Sequence, residues 1–139
     1  MRFLTGAIVL LCLAGVVTAS LALREHYNTE TSPCTIDEVW DCGVVNHSPY
    51  AVFRGVPVAL IGILGYTLLA ALAGRFPLIT ALGALAGTLF ALRLTWIEWK
   101  VLETWCMYCV ASQGIVAAIL GLSVAAALVS RKKRPGTAA

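Results

Sequence analysis

Charge is what this sequence has least of. Only 12% of its 139 residues are Asp, Glu, Lys or Arg, where an average soluble domain carries about a quarter. Hydrophobic residues make up 60%, and the mean hydropathy is +0.87. That balance excludes a water-soluble globule. Histidine is nearly missing as well. His26 and His47 are the only two, both in a polar loop region where a histidine is ordinarily solvated, so no haem ligand set or histidine-rich metal centre can be assembled. A flavin motif, a nucleotide-binding loop, internal repeats and low-complexity segments are also lacking.

What is present is apolar sequence in long runs. A helix needs about 20 mostly apolar residues to span a bilayer, and four stretches qualify: Phe3 to Leu23, Val56 to Gly74, Pro77 to Trp96 and Met107 to Val129. The expected architecture is an all-α integral membrane four-helix bundle, a single domain over residues 1–130 with an outer loop at 24–55 and a basic tail at 131–139. No separate soluble catalytic domain fits between these runs, so any chemistry belongs to the bundle and its loop.

Orientation follows from the basic residues. Alternating the sides of successive connections puts Arg2, Arg75, Arg131, Lys132, Lys133 and Arg134 together with no acid, and leaves Arg24, Arg54 and Lys100 opposite with all seven acids. The positive-inside rule counts Lys and Arg near span ends, and it places both termini in the cytoplasm and the loop outside, as in a bacterial inner membrane protein. The tail then reads as a topology anchor, not a nucleic-acid patch. Val17-Thr18-Ala19 loosely resembles a signal-peptide cleavage site, but the apolar run exceeds the 7 to 15 residues usual for such signals, and its removal would invert the charge balance.

Of the five cysteines, Cys12 falls mid-span and reads as a small apolar filler. The other four, Cys34, Cys42, Cys106 and Cys109, fall on the outer side or at the outer boundary, where disulfides form and persist. Zinc is disfavoured because seven residues separate Cys34 from Cys42, whereas structural zinc sites repeat spacings of two to four. Cys106-Met107-Tyr108-Cys109 opens the fourth apolar run. At a helix start, free amides and the helix dipole favour a thiolate, and residues at i and i+3 share a face. A disulfide closing so small a ring is a poor staple, so a redox role is the better reading. Cys34 and Cys42 lie in an acid-rich loop bracketed by Pro33 and Gly43, with freedom to move. By themselves they read either as a loop staple or as a mobile dithiol that feeds the Cys-x-x-Cys. A dithiol at the lip of an apolar bundle needs an electron partner, and a lipid-soluble quinone, which takes two electrons, is the economical one.

Taken together, Cys34, Cys42-Gly-Val-Val-Asn-His-Ser48, Phe53-Arg54-Gly55-Val56-Pro57, Gly62, Gly65 and Tyr66, Trp96-Ile97-Glu98 and Trp105-Cys106-Met107-Tyr108-Cys109 resemble the vitamin K epoxide reductase family over roughly residues 5 to 130. The order of the pairs, loop first and Cys-x-x-Cys last, is the reverse of that in the DsbB family. The resemblance implies a quinone pocket at the outer end of the bundle. It implies that Cys109 is the quinone-proximal thiol, that Cys106 exchanges with Cys42, and that Cys34 passes electrons between Cys42 and an extracytoplasmic thioredoxin-like protein. That partner is a separate protein, because the chain carries no fused thioredoxin-like domain. Ser48 matches the family serine near the pocket, although by its chemistry alone it could equally cap the turn before Pro49. Phe53 is close in sequence to the pocket elements. Gln113 stands where vertebrate members use a tyrosine to hold the naphthoquinone, and the second span lacks their asparagine. The expected activity is therefore reduction of a menaquinone- or ubiquinone-class acceptor, without a metal, coupled to disulfide formation, in preference to epoxide reduction. The alternatives are a vitamin K epoxide reductase proper and a non-enzymatic membrane protein with structural disulfides. Arg93, near the outer end of the third span, is expected to snorkel or to pair with an acid such as Glu98.

The topology has a direct test. Single cysteines introduced at Asn28 and at Thr137 should react with an impermeant thiol reagent from opposite sides of the membrane, Asn28 from outside. Labelling of both from one side would contradict the alternating arrangement.

Overall fold

The computed structural model describes residues 2–28 and 34–133. Glu30, Pro33, Arg134 and Thr137, used above, lie outside the described residues. Among the described residues five α-helices follow one another: α1 (Arg2–Tyr27), α2 (Cys42–Asn46), α3 (Val58–Leu72), α4 (Pro77–Ile97) and α5 (Met107–Lys132). Between α2 and α3 come a 3-10 turn at Pro49–Ala51 and two short antiparallel strands, β1 (Val52–Phe53) and β2 (Val56–Pro57). A π-helical turn, Glu98–Leu102, extends α4.

Local chemistry sets the boundaries. Arg24 and His26 occupy the last turn of α1, where a basic group meets the negative end of the helix dipole. Pro77 opens α4 at a position where its missing N–H costs nothing. Arg54 and Gly55 both adopt positive φ, 52° and 83°, as a two-residue hairpin turn of the I′ kind requires. That hairpin changes the expected second span. Val56 and Pro57 are taken into the β-ladder and the helix starts only at Val58, leaving 15 residues, about 22 Å of rise against a hydrocarbon core of roughly 30 Å. Three helices, Arg2–Tyr27, Pro77–Leu102 and Met107–Lys132, are long and apolar enough to cross a membrane, and α3 is the shorter apolar helix beside them. The third run reaches past the expected Trp96 because the π turn continues it to Leu102. The basic residues Arg131 and Lys132, expected in a tail, form the last turn of α5.

The result is an all-α membrane bundle in which α1 packs on α3 and α5, and α4 packs on α5. Its centre holds Ile8, Cys12, Tyr66, Leu69, Val116 and Ile119, with Cys12 fully buried as an apolar filler. Leu10, Leu64, Leu68, Leu82, Leu89 and Leu128 are each more than half exposed on the outside, the reverse of a soluble protein and the face that lipid requires. Hydroxyls within the helices satisfy themselves locally. Thr18, Thr67, Thr88 and Thr95 each donate to the carbonyl four residues back at 2.7–2.9 Å, so no helix exposes a free donor there.

Small residues let the helices close up, but unevenly. A Cβ at Gly83 or Gly87 would stand 3.0 and 3.2 Å from Leu69 and Val116, whereas Gly65, Gly114 and Gly121 face open space. The tightest approach is at Gly15, where a Cβ would lie 2.5 Å from the Tyr66 ring. Tyr66 cannot swing aside without breaking its hydroxyl bonds to Ser112 Oγ (2.7 Å) and the Ser112 carbonyl (2.9 Å). Gly15→Ala should therefore overpack the α1–α3 contact and cost about 1–3 kcal/mol, measured as a lower unfolding midpoint in detergent. An unchanged midpoint would mean that α1 and α3 are not held at this distance.

Candidate active site

The cysteine loop is built by short-range hydrogen bonds to two aspartates. Asp37 Oδ1 accepts from the amides of Val39 and Trp40, both at 2.8 Å, folding an Asx turn. Asp41 caps α2 by accepting from the amides of Gly43 (2.9 Å) and Val44 (3.2 Å), and the Thr35 hydroxyl donates to the same oxygen. The loop is then tied to the bundle through its backbone. The Trp105 N–H donates to the Val39 carbonyl at 2.6 Å, the Asp41 N–H donates to the Trp105 carbonyl at 3.0 Å, and the Trp40 and Trp105 rings pack 6.3 Å apart. Two of the acids that make this loop polar, Asp37 and Asp41, thus serve as turn and cap acceptors, while Glu38 is exposed.

This clasp puts one cysteine after Asp41 beside the one after Trp105. Cys34 and Cys42 form a disulfide, and Cys106 Sγ lies 3.3 Å from Cys42 Sγ. All three residues are buried, at 0–1% exposure, and with Val45 they form their own small core apart from the main one. The three sulfurs lie within 4.8 Å of one another, a spacing compatible with a metal, but two of them are already bonded to each other. A free thiol against one end of a disulfide is the arrangement for thiol exchange. Asn46, buried on α2, donates from Nδ2 to the Cys42 carbonyl (2.8 Å) and to Cys106 Sγ (3.5 Å).

Cys106 is the N-cap of α5 and Cys109 lies within its first turn. The Cys106 thiol is held below its ordinary pKa, first by the hydrogen bond with the Cys109 thiol and then by the amides of Cys109 and Tyr108. Burial and the neighbouring Glu98 oppose the shift. A lowered pKa makes Cys106 a good leaving thiolate when Cys34 attacks Cys42 in a mixed disulfide.

Cys109 faces a different space. It lines a cavity of about 380 Å³ among α1, α3, α4 and α5, whose lining is mostly apolar and whose polar groups include His26, Asn46, Ser48, Tyr66, Glu98 and Ser112. Ser48 donates its hydroxyl to the Val45 carbonyl at 2.7 Å and makes no cap bond to the following turn, yet it borders this cavity. Phe53 lies elsewhere, its ring edge-on to Phe90 at 6.0 Å beside a smaller cavity of about 100 Å³. Gln113 borders neither, and its Oε1 is buried without a hydrogen-bond partner among the described residues. Arg93 is exposed beside the smaller cavity and is not paired with Glu98.

Three residues of the site had no place in it by sequence. His26 is in the last turn of α1, not in the loop, and its Nδ1 donates to the Asn46 carbonyl at 2.7 Å. Asn46 at i+4 from Cys42 was legible only as part of a motif. Glu98 is 2% exposed, an acid hidden at the end of an apolar helix, and only its position next to two tryptophans hinted that it does not face water.

The sequence model of the Vitamin K epoxide reductase family matches residues 6–125. The chain belongs to that family. Family membership makes it a membrane oxidoreductase of the quinone and vitamin K reductase type, working with a redox partner, and the disulfide beside a buried thiol fits that chemistry. No individual curated protein matches the chain significantly.

The electrostatics of Cys106 can be measured. With Cys12→Ala and the loop disulfide intact, the first thiolate signal in the ultraviolet should appear below the ordinary cysteine value of about 8.5. Cys109→Ala removes the largest cause and should move that midpoint up. A midpoint indifferent to Cys109 would contradict the proposed hydrogen bond.

Proposed function

We propose that this family member is a quinone-dependent thiol oxidase that supports disulfide formation outside the cytoplasm. Electrons enter from a separate thioredoxin-like protein at Cys34, cross from Cys42 to Cys106, and leave from Cys109 to a menaquinone- or ubiquinone-class acceptor in the apolar cavity. Both termini are cytoplasmic, the loop is external, and residues 1–130 act as one unit. The observation that carries this reading is the 3.3 Å approach of Cys42 and Cys106 with Cys109 on the cavity wall.

The chemistry balances at each stage. A reduced partner converts the Cys34–Cys42 disulfide to a dithiol. The Cys42 thiolate attacks Cys106 of an oxidised Cys106–Cys109 pair, releasing Cys109, and Cys34 then closes on Cys42, releasing Cys106. The state with Cys34–Cys42 bonded and Cys106 and Cys109 free corresponds to the one that follows this exchange and precedes quinone reduction. Ser48 borders the quinone cavity, and Phe53 supports its wall through Phe90, which lines both cavities. Gln113 is the weakest of the residues assigned to quinone binding, since it borders neither cavity.

Reduced loop dithiol should be oxidised by menaquinone or ubiquinone analogues in the purified chain, and Cys109→Ala should abolish this turnover. In Cys106→Ala, Cys109 has no partner with which to close a ring. It should then persist as a thiolate against bound quinone and give a visible charge-transfer band that Cys109→Ala lacks. A band that survives the loss of Cys109 would reverse the order of the two thiols, and a chain that never reacts with quinone would leave structural disulfides as the better account.

A further inference from the structure

Two acids among the described residues are buried, Glu25 on α1 and Glu98, and it is Glu98 that lies beside the reactive thiols. It is 2% exposed, it begins the π-helical turn that widens the end of α4, and Glu103 at φ 52° closes that turn. Turns of this kind are often found at functional sites. Its carboxyl accepts the Cys106 amide N–H at 3.1 Å, and Glu98 borders the same cavity as Cys109. No cation pairs with it among the described residues. A buried carboxyl without a counter-charge is costly, and one placed at the end of an apolar helix is conspicuous for that cost. Structural need for one amide acceptor would be met by a neutral amide or hydroxyl.

We propose that Glu98 is a catalytic residue, the proton carrier between the Cys109 thiol and the quinone oxygen. This rests on the relay reading above. In the step, Cys109–SH and the Cys106 thiolate lose two electrons together and form the S–S bond. The quinone gains those two electrons and two protons and becomes the quinol. One proton is that of Cys109, taken up by the Glu98 carboxylate as the S–H bond breaks and passed to one quinone oxygen. The other comes from water on the outer side. The carboxylate ends the step as it began, and hydrogen and charge balance. Holding the Cys106 amide keeps Glu98 in register with both sulfurs while it does so.

Glu98→Gln is the decisive variant, because a glutamine oxygen still accepts the Cys106 amide but cannot carry the proton. Quinone reduction in single turnover should fall by about 10²-fold or more, the size of a lost acid-base group. Glu98→Asp, which keeps a carboxyl at a slightly different reach, should recover part of it. The parent rate should show a titration limb that disappears in Glu98→Gln. The other titratable groups on the cavity, His26 on α1, Tyr50, Tyr66 on α3 and Tyr108 and Cys109 on α5, together with Cys106 against the carboxyl, remain in every variant, so a limb that vanishes and does not merely shift reports Glu98. Exchange between Cys42 and Cys106 passes no proton through the carboxyl, so in Glu98→Gln it should change far less than quinone reduction does, and its persistence also shows that the site is folded. Glu98→Gln at parental speed, or slowed with the limb retained, would overturn the assignment. Failure of the parent itself to reduce quinone would instead overturn the relay on which it stands.

Discussion

Two backbone hydrogen bonds between the loop and residue 105 determine what the rest of the molecule can do. Trp105 donates to Val39 and accepts from Asp41, and this single pairing fixes the segment carrying Cys42 against the segment carrying Cys106. The cysteines are 64 residues apart in sequence, so their meeting at 3.3 Å depends on contacts that neither segment encodes alone. Each bond is of ordinary strength, with a net worth of about 1 kcal/mol. The burial of three sulfurs with Val45 beneath the clasp and the stacking of Trp40 on Trp105 reinforce it.

The clasp also divides the site into two compartments with different solvents. On the loop side, Asp37 and Asp41 spend their charge on backbone amides, and Asn46 supplies a hydrogen bond to the Cys106 sulfur. On the bundle side, Cys109 faces an apolar cavity lined in part by the hydrogen-bonded Tyr66 and Ser112, with the Tyr66 ring pressed against Gly15. Cys106 belongs to both, since its sulfur meets the loop and its amide meets Glu98. A helix N-terminus is the place where this is possible: Cys106, as N-cap, stands outside the helix, while Cys109, three residues on, is one turn inside it.

Much of this could be read from residue order. Long apolar runs announce the helices, because lipid allows little else, and the two cysteine pairs with their spacing announce the redox chemistry and the family. The hairpin at Val52–Pro57 was less legible: Arg54-Gly55 is a turn signal, but it sits in a run whose hydropathy already looks like the start of a span. Its formation shortened α3 to 15 residues. The loop was harder still, since two of its acids, Asp37 and Asp41, turned out to be a turn acceptor and a helix cap. Phe53 and Gln113 show the limit of carrying positions over by sequence alone. Phe53 is a neighbour of the cavity wall, and Gln113 is one step around α5 from Ser112, which does border the cavity. Glu98 is buried where the π turn begins, a feature with no periodic signature.

Peptide mapping of Cys34→Ala is the most direct test of the account. Without Cys34, a Cys42 thiolate that has attacked an oxidised Cys106–Cys109 pair has nothing to resolve it, and the mixed disulfide accumulates. Non-reducing digestion and mass spectrometry should find the Cys42 peptide joined to the Cys106 peptide, with Cys109 free. A Cys42 that stays unpaired, or that joins Cys109 instead, would contradict a relay built on the contact between Cys42 and Cys106.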